Sequence, residues 1–248
     1  MKQILIAAIC ALGFGLSGPA LQAQEMTPEQ KAAIDAQIRA YILANPEVIV
    51  EAMQVLEQRQ EEETRNTDRV LISRLEAEIF DDGYSYVGGN PDGDVTLVEF
   101  LDYRCGFCKR AHEGVQALVE ADPNLRYVVK EFPILGPEST FASRIALAAK
   151  RQGDDKYALI NDALMTHEGD LNNDTVLHIA ASVGLDMDQL RVDAEDPAIA
   201  EHIRTTYALA RRLQINGTPG FVIGDEIVRG FVPYDALREL VEDTRARG

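Results

Sequence analysis

Cys105 and Cys108 stand two residues apart in the stretch RCGFCK, Arg104 to Lys109. A thiol pair at that spacing can carry electrons, close a small loop, or give two ligands to a metal. As a staple it is weak, because so short a loop removes little entropy from the unfolded chain. Zinc takes four ligands as a rule, and no second CxxC or HxxxH accompanies this one. His112, four residues past Cys108, can share a helix face with it but reads as an ordinary helix-surface residue. His167, His178 and His202 read as surface or packing residues. Two thiolates alone would suit the soft ion Cu(I). The surroundings favour electron transfer. A strand-like LVEFLDY precedes the pair and a helix-like run follows. Cys105 therefore falls at a helix N-terminus, where backbone N–H groups and the helix dipole stabilise a thiolate. Arg104, Lys109 and Arg110 flank it and are expected to lower its pKa further. Cys108, one turn on, can resolve a mixed disulfide. Gly106 and Phe107 fill the positions between.

Two further features bear on the pair. Glu99 lies among apolar neighbours on the strand, and alternation puts it on the face of Leu97 and Leu101. Buried below the dithiol, its carboxyl would have a raised pKa and could relay a proton to Cys108; on an edge strand it would simply face solvent. Thr218-Pro219, in INGTPGFVIG, precedes a second strand. An X-Pro bond can be cis. A turn of that kind facing the dithiol would offer its backbone to an extended substrate strand.

The elements that must position these groups fall into three regions. Residues 1–23 read as a secretory signal: Lys2, an apolar run ILIAAICALGFGL, then the small residues of SGPALQA. A membrane anchor is the rival reading, disfavoured by a short run broken by Gly13, Gly15 and Pro19. Cys10 lies inside the apolar run behind Ile9, which does not suit a lipoprotein signal. Export places Cys105 and Cys108 in a disulfide-permissive space. A net charge of −17 argues against nucleic acid as a partner. Residues 25–82 read as helical. Thr27, Pro28 and Gln30 make a helix start, and Asn45-Pro46 repeats it. Ile34, Ile38, Tyr41 and Ile42, then Val48, Ile49, Ala52, Met53 and Leu56, recur at helical spacing. QRQEEETRNTDR is a solvated helix or a flexible linker. Val70, Leu71, Leu75 and Ile79 resume the stripe. Such helices either pack on the main domain or pair with copies of themselves; the charged stretch between favours copies. From 84 to 248 the order is β-β-α-β, a helical stretch at about 138–213, then β-β-α. That is an α/β, thioredoxin-like sheet with a helical insertion.

Together LVEFLDYRCGFCK, KEFPILGPES and GTPGFVIG resemble exported DsbA-like thiol–disulfide oxidoreductases. IRAYILANPEVIVEAMQVL resembles the extra helical segment of the suppressor-of-copper-sensitivity C (ScsC) branch. The resemblance implies a thioredoxin fold with an inserted helical domain, preceded by an N-terminal helical oligomerisation segment. It implies Cys105 as the attacking cysteine, Cys108 as its partner, Thr218-Pro219 as a cis-proline loop and Glu99 as a buried acid. It further implies client proteins bearing thiols or disulfides, a membrane partner for recycling, self-association with a trimer as one assembly, and a periplasmic location. No cofactor is expected. Strongly oxidising members carry histidine just before the second cysteine. Phe107 occupies that place and supplies no positive charge, so a less oxidising couple suited to isomerisation or reduction is expected.

Overall fold

The computed structural model describes residues 26–247; the expected secretory signal lies outside them. Among the described residues no helix is long and apolar enough to cross a membrane. The chain divides into two compact units, up to Glu57 and from Gln58.

In the first unit, helix α1 (Pro28–Ala44) begins at the expected capping box: Thr27 Oγ1 accepts from the Gln30 amide and Gln30 Oε1 from the Thr27 amide. Asn45 precedes proline and leaves helical geometry. Helix α2 (Glu47–Arg74) then starts, and the QRQEEETRNTDR stretch lies within it as solvated helix. No side chain of α1 is buried.

The second unit holds a five-stranded sheet in the order β1-β3-β2-β4-β5. Strand β1 (Tyr86–Gly89) pairs antiparallel with β3 (Leu125–Glu131), not with its sequence neighbour β2 (Val95–Leu101). Strands β2 and β3 are parallel, joined by helix α4 (Gly106–Ala121); α3 spans Glu76–Phe80. A parallel pair needs such a crossover. Helix α4 buries Cys108, Ala111, His112, Val115 and Leu118 at helical spacing. It stops at Asp122, held extended by Pro123. Five helices follow: α5 (Pro137–Lys150), α6 (Asp154–Thr166), α7 (Asn173–Ser182), α8 (Met187–Ala194) and α9 (Pro197–Arg212). Strands β4 (Gly220–Ile223) and β5 (Glu226–Arg229) then form a hairpin, and α10 (Tyr234–Arg247) closes the chain. Gly224 in the hairpin turn has φ +56°, and a Cβ there would meet Thr244 of α10 at 2.4 Å.

Because β2 is buried on both faces, the sheet has two cores. One joins Leu97, Leu101, Tyr127, Val129, Phe221 and Ile223 to α4, α10 and the helical insertion. The other joins Val98, Phe100, Val128 and Val222 to Ile72, Leu75, Ile79, Leu209 and Leu213. The second core corrects the expectation that residues 70–82 belong to a helical segment apart from the catalytic domain. Ile72, Leu75 and Ile79 are buried on the sheet, while Val70 stays exposed. Polar contacts secure the same face: Arg229 makes a two-pronged bond to Asp68, and the fully buried Lys130 ammonium donates to Glu78 O and to Asp82. Burial of a lysine is tolerated only with such partners.

Candidate active site

The redox turn lies where β2 ends. Asp102 organises it: its carboxylate accepts from the Arg104 amide at 2.8 Å and the Leu135 amide at 2.9 Å, and its carbonyl accepts from the Cys105 amide at 3.0 Å. Sequence reasoning passed over Asp102, although aspartate ahead of a turn is a recognisable signal. Cys105 is the N-cap of α4 in extended geometry and caps nothing with its side chain. The first amides of the helix therefore remain free to face a sulfur anion.

Strand pairing brings in the second loop. Gly220 sits opposite Phe100 in the β2–β4 register, which sets the residues before it beside the redox turn. The Thr218-Pro219 bond is cis. Pro219 O accepts from the Gly230 amide at 2.9 Å, and the Cys105 thiol donates to Thr218 O at 3.1 Å. The carbonyl favours the thiol; the Thr218 side chain favours the thiolate. One residue thus serves both protonation states.

The two free cysteines are unlike. Cys105 is 7% exposed and Cys108 is fully buried. The Cys105 pKa is lowered from 9.0 to about 5, first by a hydrogen bond from the Cys108 thiol and then, against the cost of burial, by Thr218 and the Phe107 and Cys108 amides. Burial pushes the Cys108 pKa far up, assisted by the hydrogen bond it gives to Cys105 and by the charge of Glu99. Glu99 is itself buried, and Tyr127 Oη donates to its carboxylate. Burial raises its pKa to about 7, against the Tyr127 bond, with the Cys105 and Glu131 charges adding.

The flanking cations behave otherwise than expected. Arg104 is engaged with Glu138 at 2.8 Å and Asp170 at 3.7 Å. Lys109 donates to the carbonyls of Leu164 and His167 at the end of α6. The Arg110 guanidinium lies over the rings of Phe107 and Phe231, 4.9 and 5.6 Å from their centroids. The leading contributions to the acidity of Cys105 are hydrogen bonds, and none of these three cations is among them. The expected role of these charges is corrected accordingly. His112 also departs from expectation: it is buried, and Nε2 lies 3.0 Å from Asp162 Oδ1. Gly106 and Phe107 are exposed at the mouth of the site; a Cβ at position 106 would meet nothing within 4 Å.

A reachable acidic thiol at a helix start, backed by a buried thiol and faced by a cis-proline loop, is a thioredoxin-fold dithiol site with the chemistry to exchange a disulfide. Residues 96–242 match the model of the DSBA-like thioredoxin domain, and the chain belongs to that family. Residues 30–63 match the Copper resistance protein ScsC N-terminal domain. Among solved structures, the chain is 49% identical to a thioredoxin-like oxidoreductase from Silicibacter pomeroyi DSS-3, over 68% of this chain and 97% of that one, with a TM-score of 0.66. It is 31% identical to the thiol-disulfide exchange protein alpha-DsbA2 from Wolbachia pipientis, over 72% and 96%, with a TM-score of 0.68. A curated relative, the Na(+)/H(+) antiporter NhaA of Herminiimonas arsenicoxydans, is 30% identical over 73% of this chain. The chain spans about a quarter of the length of the curated relatives it matches.

Proposed function

We propose that the chain is an exported isomerase or reductase of protein disulfides, with Cys105 as the attacking sulfur and Cys108 as its resolving partner. The observation that carries this reading is the asymmetry of the pair: an acidic thiol within reach of solvent and a buried, protonated one behind it. The Cys105 thiolate attacks a client disulfide; a mixed disulfide forms and one client sulfur leaves as thiolate. If that thiolate attacks a different client disulfide and a client thiolate then displaces Cys105, the client is isomerised with no net electron transfer. If Cys108 resolves, its proton passes to the Glu99 carboxylate and its sulfur attacks Cys105. The Cys105–client bond breaks as the Cys105–Cys108 bond forms, and the second client sulfur leaves as thiolate. Two electrons pass from the dithiol to the client. The Thr218-Pro219 loop pairs with the extended client segment.

The preference for isomerisation or reduction over oxidation rests on Phe107, which brings no charge to the thiolate and so leaves the reduced form less favoured than a histidine would. The alternative, a dithiol oxidase, differs only in which partner resets the pair. Reduction needs a membrane redox partner to return electrons. Self-association through the N-terminal helices is supported by Ile38, Tyr41, Leu43, Ile49, Met53 and Leu56, all exposed there. Several catalytic domains held together, in a trimer for example, could engage one misfolded client. The likeness to a periplasmic thioredoxin-like protein from Salmonella enterica serovar Typhimurium, 30% identical over 69% of this chain, supports the same location here.

Refolding of a scrambled, wrongly bridged protein tests the reading, using the full chain and a chain beginning at Gln58. Rescue by the full chain alone supports an assembled isomerase. Failure of both to rescue, with both oxidising a reduced client, makes the protein an oxidase.

A further inference from the structure

Tyr103, two residues before Cys105, is fully buried although its ring ends in a hydroxyl. Its Oη donates to Glu131 Oε1 at 2.7 Å and accepts from Asn161 Nδ2 at 3.2 Å. The same Oε1 accepts from Tyr157 Oη at 2.6 Å, and Oε2 accepts from Ser143 Oγ at 2.6 Å. One buried carboxyl thus gathers three hydroxyls, from the redox turn, from α5 and from α6. Glu131 is the last residue of β3 and stands opposite Leu101, the last residue of β2. The Phe132 amide bonds Leu101 O at 2.9 Å. The chemistry described above does not use this group. A polar group taken this far from water is retained at a cost, and here one of its partners, Tyr103, stands two residues before Cys105.

We propose that Glu131 is a positioning residue for the dithiol: through Tyr103 it ties the turn bearing Cys105 to the helical insertion, and through Glu99 its charge state is linked to that of the cysteine pair. In the parallel register Leu101 faces Glu131, and Glu99 lies two residues earlier on the same face. The groups facing Glu131 are Asp102 and Tyr103 from the turn, Glu99 from β2, Ser143 from α5, and Tyr157 and Asn161 from α6; Tyr86 of β1 stacks on Tyr157 at 4.5 Å. Lys130 alternates to the opposite face and pairs with Asp82. Among the described residues Glu131 forms no ion pair, so hydroxyls alone carry its charge. Burial raises its pKa to about 7, the three hydroxyls opposing and Asp102 adding. Two carboxyls on one face, both titrating near neutrality, titrate as a pair. A thiolate at Cys105 makes Glu99 hold its proton, and a neutral Glu99 eases ionisation of Glu131. By reciprocity the charge on Glu131 reports back to the thiolate.

The inference rests on Cys105 and Cys108 being the redox pair. The direct test follows the carboxyl carbon resonances of glutamate in the full-length protein, as dithiol and as disulfide, against pH. Loss of the thiolate on oxidation lets Glu99 ionise earlier, so Glu131 is expected to titrate at higher pH in the disulfide form. Identical Glu131 midpoints in a redox-active chain overturn the proposal while leaving the dithiol reading standing; a chain without redox activity removes that reading instead. Two variants separate the parts. Glu131→Gln keeps an acceptor for both tyrosines and removes the charge, and should lower the Glu99 midpoint by about half a pH unit or more. Tyr103→Phe keeps the charge and cuts the tether, and should move the equilibrium with glutathione by about threefold or more. Variants that only melt earlier, with Glu99 midpoint and glutathione equilibrium unchanged, reduce Glu131 to a structural brace and overturn the proposal.

Discussion

Substitution of Cys105 by serine should change the pH dependence of stability, not only redox activity. In the reduced protein the Cys105 pKa falls from 9.0 to about 5 on folding. Between those values the unfolded thiol still holds its proton while the folded one has lost it. The stabilisation is therefore complete above about pH 9, grows as pH rises from 5, and is lost as pH falls through 5. Two pH units of separation between 5 and 7 correspond to about 2.7 kcal/mol at full strength. The sulfur is still reached by solvent, which screens part of this, so about 1–2 kcal/mol is expected at pH 7. Glu99 titrates in the same window, and comparison of Cys105→Ser with the parent cancels whatever of that linkage is common to both. The assay is denaturant unfolding under strong reductant from about pH 4 to about pH 8. The parent should gain on the variant by about 1–2 kcal/mol as pH rises from about 4 to about 7, and should gain further toward about pH 8. A difference independent of pH would show that Cys105 is not an acidic thiol, and the attack chemistry assigned to it would lose its basis.

Three other substitutions test separate parts of the structure. Glu99→Gln removes a buried carboxyl whose pKa rises from 4.5 to about 7, a shift that costs the folded parent stability as pH climbs from 4.5. The variant should match the parent near pH 4.5 and exceed it by about 1–3 kcal/mol above pH 7, while resolving mixed disulfides more slowly; a parallel pH dependence in both would refute the burial argument. Cys108→Ala should accumulate client mixed disulfides on Cys105, seen as reductant-sensitive adducts on gels, whereas Cys105→Ser should form none. Ile79→Ala opens a cavity in the core beneath α3, where the parent side chain is fully buried. A loss of about 2–4 kcal/mol is expected in denaturant unfolding, and a loss near zero would mean that α3 is not docked.

What the sequence made legible were features whose residue types are demanded locally. A strand running into CxxC and a helix, and Thr-Pro ahead of a second strand, state their own geometry, and Thr27 with Gln30 states a helix start. The features that stayed hidden depend on partners far along the chain. Lys130 and Glu131 are charged residues at the end of β3, yet both are buried on opposite faces, one by Asp82 and one by Tyr103, Ser143 and Tyr157. His112 looked like surface until Asp162, fifty residues on, came beside it. The apolar stripe through Leu75 and Ile79 told that something must cover it, not that the covering surface was this chain's own sheet. Most instructive are Arg104, Lys109 and Arg110. Adjacency in sequence suggested a positive field at Cys105, but a charge acts through distance and solvation, and each of these has been drawn to a better partner: a carboxylate pair, the carbonyls of α6, two aromatic rings. The thiolate is left to backbone amides, the Cys108 thiol and Thr218. Hydrogen bonds of that kind are screened by salt far less than exposed ion pairs. The acidity of Cys105 should accordingly hold nearly constant from low to high ionic strength when followed by thiolate absorbance, and a strong salt dependence would restore the cations to the role the sequence first suggested.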